Sequence, residues 1–160
     1  MIRESIQLAC LLLLIASLAG AALSDIRRRR IPNMLCVLIA GLALPYWIAA
    51  DPDIWQRLLI QLALCGIATF VLALLFARGM LGGGDVKLIV ALLIWLPPKV
   101  ALSTILLIAM AGGVVAIAML VVTPLRRRKV AGAKVPYAVA ITLGCMPWAL
   151  SSIVSLTGRI

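Results

Sequence analysis

The stretch that decides the fold is Gly82-Gly83-Gly84-Asp85-Val86-Lys87, which separates two apolar segments near the middle of the chain. Glycine has no Cβ, so three in a row free the backbone to turn and let another segment approach closely. The aspartate stands at the start of the next apolar segment, where an ionisable side chain is costly to place and by default indicates a functional site. Its counterpart is Asp25, at the end of the first apolar segment. We therefore expect the two carboxylates to form one site.

The composition indicates an integral membrane protein. The chain has 160 residues, of which 65% are hydrophobic, whereas ordinary soluble domains are roughly 45–50% apolar. The net charge of +10 does not indicate a nucleic-acid partner, because the cations lie in short loops, where positive charge orients a membrane protein. The sequence contains no histidine and no CxxC pair, so we expect no metal centre, no disulfide framework and no histidine-dependent nucleophile.

Six apolar segments predict an all-α, polytopic membrane protein with six transmembrane helices in one domain, residues 1–160. The segments cover residues 6–23, 34–50, 58–77, 86–96, 100–122 and 135–156. A cleaved signal peptide is the alternative for the first segment, because Arg3 precedes it and small residues end it. The four arginines at 27–30 favour a retained helix, since such a cluster stays in the cytoplasm.

The fourth segment has only 11 residues, which is fewer than a single membrane span requires. The charges nevertheless predict that it crosses. Both strong basic clusters, 27–30 and 126–129, should be cytoplasmic, so an even number of crossings must separate them. Segments two, three and five supply three, and segment four must be the remaining one. This topology places both termini outside, and Asp25 and Asp85 at the cytoplasmic face.

Several shorter patterns refine this topology. Residues 25–33 are expected to form the first loop, with Asn33 as the N-cap of the second helix. Pro97-Pro98 ends the fourth segment. Gly112-Gly113 predicts a point of close helix packing in the fifth segment.

Two aspartates that approach closely cannot both ionise readily, so the pair holds one shared proton near neutral pH. This arrangement suits peptide hydrolysis. The ionised carboxylate takes a proton from water, and the protonated one polarises the scissile carbonyl. Neither a metal nor a covalent nucleophile is needed, which agrees with a chain that lacks histidine.

The separated motifs resemble those of type IV prepilin peptidases, which are intramembrane aspartic proteases of the G-x-G-D type. The matching stretches are Asp25-Ile26-Arg27, Ile31-Pro32-Asn33, Gly82-Gly83-Gly84-Asp85-Val86-Lys87-Leu88 and Pro136-Tyr137. The resemblance implies that Asp25 and Asp85 are the catalytic pair of a multi-pass protein of the bacterial inner membrane. It implies prepilin and pseudopilin substrates, cleaved after a glycine at the cytoplasmic face. It also implies contact with the pilus assembly machinery, and neither a cofactor nor nucleic acid.

The chain differs from the longer members of that family. Those carry a soluble cytoplasmic insert with cysteine pairs between the first two helices, and they also N-methylate the new terminus. Here only residues 25–33 occupy that place, so the chain resembles the short form found with tight-adherence (Flp-type) pilus systems. Cleavage without methyl transfer is expected, with a bifunctional peptidase and N-methyltransferase as the alternative. Ala138 stands where the family often has glycine, which we interpret as a packing change.

The glycines and Asp85 each have a plain structural interpretation beside the functional one. Gly82, Gly83 and Gly84 could form a simple turn, or they could let the substrate backbone approach Asp85. Asp85 could be the N-cap of its helix, and that role is compatible with catalysis because a cap fixes the carboxylate.

The other candidate site residues also have two interpretations. Lys87 could interact with Asp85 or with lipid headgroups, and we favour the headgroups. Asn33 is expected to fix the loop that carries Asp25. Tyr137 could donate a hydrogen bond to a catalytic carboxylate or anchor its helix at the membrane interface, and both stay open. The arginines at 27–30 are interpreted as topology determinants and not as substrate ligands.

A small proton-coupled transporter or channel subunit is the rival function, because two carboxylates at the membrane edge could relay protons. Transporters typically show inverted repeats and midplane polar residues in broken helices. Neither feature is evident in this sequence, so the peptidase is favoured.

Overall fold

Helices form the framework of the protein. The computed structural model describes residues 2–50, 54–122 and 137–158, and in these ranges it contains six α-helices. They are α1 (Ile2–Arg28), α2 (Asn33–Ala50), α3 (Ile54–Ala77), α4 (Gly83–Leu93), α5 (Pro98–Val122) and α6 (Tyr137–Thr157). The prediction of an all-α fold is confirmed. The predicted basic cluster at 126–129 and the start of the sixth segment at 135–136 lie outside the described residues.

Five of these six helices are long and apolar enough to cross a membrane, namely α1, α2, α3, α5 and α6. The fourth, α4, has 11 residues and is too short to count as a span on its own. The five apolar helices indicate a multi-pass membrane protein. The predicted sixth crossing and the outer location of both termini stay predictions.

Contacts between helix ends show how the helices are arranged. Asp25, near the end of α1, accepts a hydrogen bond from the backbone of Ala138 at the start of α6. Lys87, near the start of α4, donates to Asn33 at the start of α2. The end of α1 and the starts of α2, α4 and α6 therefore lie together, at what we call the site end of the bundle. We call the opposite end the far end.

The third helix runs antiparallel to α4. Near the end of α3, the ring of Phe76 lies beside Gly83, the first residue of α4. Near the start of α3, Gln61 donates a hydrogen bond to the carbonyl of Leu93, the last residue of α4. Consequently α4 runs from the site end towards the far end, which is the direction that the predicted crossing requires.

The helix α4 lies in the middle of the bundle and packs against α2, α3 and α6. Its apolar side chains Leu88 and Leu92 are buried, as is Trp95 just beyond its end. In contrast, α3 and α5 present large apolar side chains such as Phe70 and Leu102 on the outer surface. Exposed apolar faces of this kind are expected where a helix contacts lipid.

The fifth and sixth helices approach closely because glycines replace side chains at their contacts. A Cβ on Gly112 would lie 2.7 Å from the ring of Tyr137, and a Cβ on Gly144 would lie 2.7 Å from the backbone nitrogen of Ile108. Both distances are far below van der Waals contact. The predicted close packing is confirmed at Gly112, but it is wrong at Gly113, which has nothing within 4 Å of its missing Cβ.

The structure also corrects the predicted loop at residues 25–33. Helix α1 continues to Arg28, so the connection to α2 is only residues 29–32. Asp25 therefore lies on a helix and not in a loop. The helix continues beyond the apolar segment into Arg27 and Arg28. Positive side chains are favourable near a helix C-terminus, so the end of the apolar pattern does not mark the end of the helix.

We expect Gly144→Ala to lower the free energy of unfolding by about 1–3 kcal/mol, because the new methyl meets backbone atoms of α5 that cannot rotate away. Thermal unfolding in detergent measures the change. Gly113→Ala is the matched control, since it makes the same chemical change where there is open space. Equal stability of the two variants would contradict the close contact between α5 and α6.

Candidate active site

A cavity of about 280 Å³ opens at the site end of the bundle, and both aspartates line it. Its walls come from the end of α1, the connection to α2 and the start of α4. The lining residues are Asp25, Arg29, Arg30, Ile31, Asn33, Gly82, Gly83, Gly84, Asp85 and Lys87. The structure thus brings together all the candidate site residues named from the sequence except Tyr137.

The carboxylate of Asp25 is buried, with 8% of the residue exposed. Its Oδ2 accepts a hydrogen bond of 3.1 Å from the backbone N–H of Ala138. Ala138 is the second residue of α6, and the first N–H groups of a helix have no partner within the helix. Asp25 supplies that partner from another helix, so one bond both satisfies the start of α6 and holds the carboxylate in place.

The carboxylate of Asp85 is half-buried in the first turn of α4. Gly82 is the N-cap residue, with φ −76° and ψ 142°, so the interpretation of Asp85 as the N-cap is wrong. A Cβ on Gly82 would lie 2.7 Å from Asp85 Oδ2. The missing side chain at position 82 is therefore what allows the carboxylate to occupy its place at the helix N-terminus, where negative charge is favourable.

The other two glycines face different neighbours. A Cβ on Gly83 would lie 3.3 Å from the ring of Phe76, and one on Gly84 would lie 3.4 Å from Ile31. The first distance is tight and the second is ordinary contact, so these glycines bring the start of α4 close to α3 and to the α1–α2 connection. The expected approach of a substrate backbone stays a prediction.

Lys87 and Asn33 join the two helices that flank the cavity. Lys87 Nζ donates a hydrogen bond of 3.1 Å to Asn33 Oδ1, which connects α4 to the first residue of α2. Both side chains line the cavity. The expected interaction of Lys87 with lipid headgroups stays a prediction.

Arg29 and Arg30 line the cavity as well, although the sequence pattern assigned them only to topology. Arg29 adopts a left-handed conformation with φ 50°, and its N–H donates to the carbonyl of Asp25 at 2.9 Å. Ser24 Oγ donates to the carbonyl of Arg30 at 2.9 Å. The first bond continues the hydrogen-bond ladder of α1 by one residue, and the second holds residue 30 against the end of the helix. The spacing of Asp25 and Arg29 could have indicated that they share one wall, because residues four positions apart on a helix are neighbours.

Tyr137 lies beside the cavity and does not line it. It begins α6 directly before Ala138, and its half-buried ring packs over Gly112. The described ring contact joins α6 to α5, and the two expected roles of the hydroxyl stay open.

A model of the type IV leader peptidase family matches residues 11–117. This range carries Asp25, Asp85 and the three glycines, and it covers more than half of the chain. The chain belongs to the type IV leader peptidase family. No curated protein and no solved structure matches it.

Membership of the leader peptidase family confirms the resemblance that the separated motifs indicate. It makes the protein a peptidase, and prepilins are the substrates that the family implies. Two carboxylates line the cavity, that of Asp25, which is buried, and that of Asp85, which is half-buried. Among the residues that the structure describes, there is no cluster of three or more metal-ligating side chains.

We expect Gly82→Ala to lower peptidase turnover about tenfold while changing the free energy of unfolding by less than about 1 kcal/mol. The backbone angles at Gly82 suit alanine, so the only conflict is with the carboxylate of Asp85, which must rotate away. Cleavage kinetics and thermal unfolding separate the two effects. Gly41→Ala is the control, because nothing lies within 4 Å of its missing Cβ. Full turnover in Gly82→Ala would contradict the steric role.

Proposed function

We propose that Asp25 and Asp85 are the catalytic pair of an aspartic endopeptidase that removes the leader peptide of prepilins. The observation that carries the proposal is the shared cavity, which these two acids line from different helices. Family membership supports the reaction class.

The chemistry follows from one proton shared between two carboxylates. The ionised carboxylate accepts a proton from water as the water oxygen attacks the scissile carbonyl carbon, while the protonated carboxylate donates its hydrogen to the carbonyl oxygen. Collapse of the tetrahedral intermediate breaks the C–N bond. The leaving nitrogen takes the proton acquired from water, and the intermediate's hydroxyl returns a proton to the pair. The products are a free carboxylic acid and a free amine, and the pair again holds one proton.

The substrate is a membrane-inserted prepilin or pseudopilin of the Flp type, cut after a glycine. Only residues 29–32 separate α1 from α2, so no soluble insert stands there, and we propose cleavage without methyl transfer. The scissile segment must unwind before hydrolysis, because a helical carbonyl is already hydrogen-bonded. Glycine at the cut favours unwinding through its low helix propensity.

The site end of the bundle is assigned to the cytoplasmic face of the bacterial inner membrane. The arginines at 27–30 lie at this end, and clusters of arginine stay on the cytoplasmic side. The whole chain acts as one transmembrane peptidase domain, with α4 as a short sixth crossing and both termini outside.

We expect Asp25→Asn and Asp85→Asn each to abolish prepilin cleavage, because an amide can neither accept the proton of water nor share a proton with its partner. The assay is the gel mobility of a co-expressed prepilin. Glu4→Gln is the control, since Glu4 lies near the start of α1 and therefore at the far end. Cleavage that survives either aspartate substitution would remove the catalytic assignment.

We expect Ile26→Cys and Met80→Cys, in a variant whose four native cysteines are replaced by alanine, to react with an impermeant maleimide only from the cytoplasmic side. Both positions are exposed at the site end, next to Asp25 and to the start of α4. Lys99→Cys is the control at the far end and should react only from the outer side. Labelling of positions 26 and 80 from opposite sides would contradict the topology.

A further inference from the structure

Backbone carbonyls at the end of α4 lack their usual N–H donors because of the sequence that follows the helix. In an α-helix the carbonyl of residue i accepts from the N–H of residue i+4. Residues 97 and 98 are both proline, which has no N–H. The carbonyls of Leu93 and Ile94 are therefore deprived of their helical donors. Within a membrane protein such a carbonyl is costly unless another group satisfies it.

Side chains of two neighbouring helices supply the two missing donors. Gln61 Nε2, on α3, donates to the carbonyl of Leu93 and also to that of Leu96, the latter at 2.9 Å. Trp47 Nε1, on α2, donates to the carbonyl of Ile94 at 2.9 Å. Each donor residue is only 6% exposed. The two carbonyls that lose their donors to the proline pair are thus among the three that α2 and α3 satisfy.

The side-chain amide of Gln61 donates its hydrogen bonds only to carbonyls at the end of α4 and just beyond it. Its Oε1 is buried without a hydrogen-bond partner in the described part of the chain. Because both neighbours of the amide nitrogen are carbonyl acceptors, the nitrogen must face them and the oxygen must face away. The side chain is therefore oriented by α4 and not by its own helix.

Another hydrogen bond connects the segment just after α4 to α2. Trp95 Nε1 donates to the carbonyl of Ile39 at 2.7 Å, and Trp95 is fully buried. The ring of Tyr46 packs against both Trp47 and Trp95, with centroids 5.2 Å apart in each pair. The far end of α4 is consequently held by hydrogen bonds and by ring packing together.

We infer that Gln61 and Trp47 are positioning residues for Asp85. Asp85 and Leu93 lie at opposite ends of α4, roughly 12 Å apart along the helix axis. A regular helix of this length transmits a shift at one end to the other, so the two donors set the depth at which Asp85 enters the cavity. This inference rests on the proposed role of Asp85 in catalysis.

The test removes each donor while keeping an apolar side chain in its place, with Gln61→Leu and Trp47→Phe. We expect kcat for prepilin cleavage to fall about tenfold, with KM unchanged, because substrate binding does not involve the far end. A second variant at each position keeps a side-chain donor. Gln61→His and Trp47→His each retain a ring N–H that can donate to the carbonyls at the end of α4.

The histidine variants should keep kcat within about threefold of wild type, whereas Gln61→Leu and Trp47→Phe should not. Wild-type kcat in both Gln61→Leu and Trp47→Phe, or an equal loss in the histidine variants, overturns the inference. Asp85→Asn in the same assay separates the two ideas, because activity in that variant would refute the catalytic role itself.

Discussion

The length of α4 is the constraint on which the rest of the structure depends. Its 11 residues rise roughly 16 Å, about half the thickness of a hydrocarbon core of ~30 Å. A helix this short cannot place both of its ends in water. Its neighbours must satisfy the end that stays inside, and the opposite end must lie in a polar cavity. Gln61 and Trp47 meet the first need, and the cavity with Asp25 meets the second.

The two acids are held by different means. Asp25 is fixed by the N–H of Ala138, so the start of α6 and the end of α1 determine its place. Asp85 depends on the absence of a side chain at Gly82. The alternating directions of the helices then bring the two acids to the same end of the bundle, although they are far apart in sequence. No loop carries either of the two proposed catalytic acids, because both stand on helices.

Much of the fold could be predicted from the sequence, because a membrane-spanning helix appears there as a long apolar segment. Apolar segments gave the number and order of the helices, and Asp25 and Asp85 stood out as isolated acids at the segment ends. The ends of helices were less predictable. Helix α1 runs past its apolar core to Arg28, and α4 begins at Gly83, because backbone hydrogen bonding continues where hydropathy stops.

Several tertiary contacts could not be predicted from spacing. Pro97-Pro98 reveals which carbonyls lose their donors, but nothing in the sequence shows that Gln61 and Trp47 replace them. Similarly, Arg29 and Arg30 have the pattern of topology signals, and only the left-handed turn at Arg29 brings them to the cavity wall.

The central claim is that Asp25 and Asp85 meet in one cavity. The most direct measurement is cross-linking of Asp25→Cys with Asp85→Cys by a short bifunctional thiol reagent, in a variant without the four native cysteines. The account predicts an efficient intramolecular link between positions 25 and 85, and none between Asp25→Cys and Lys99→Cys at the far end. Failure of the first pair to link, while each cysteine alone reacts with a monofunctional reagent, would contradict it.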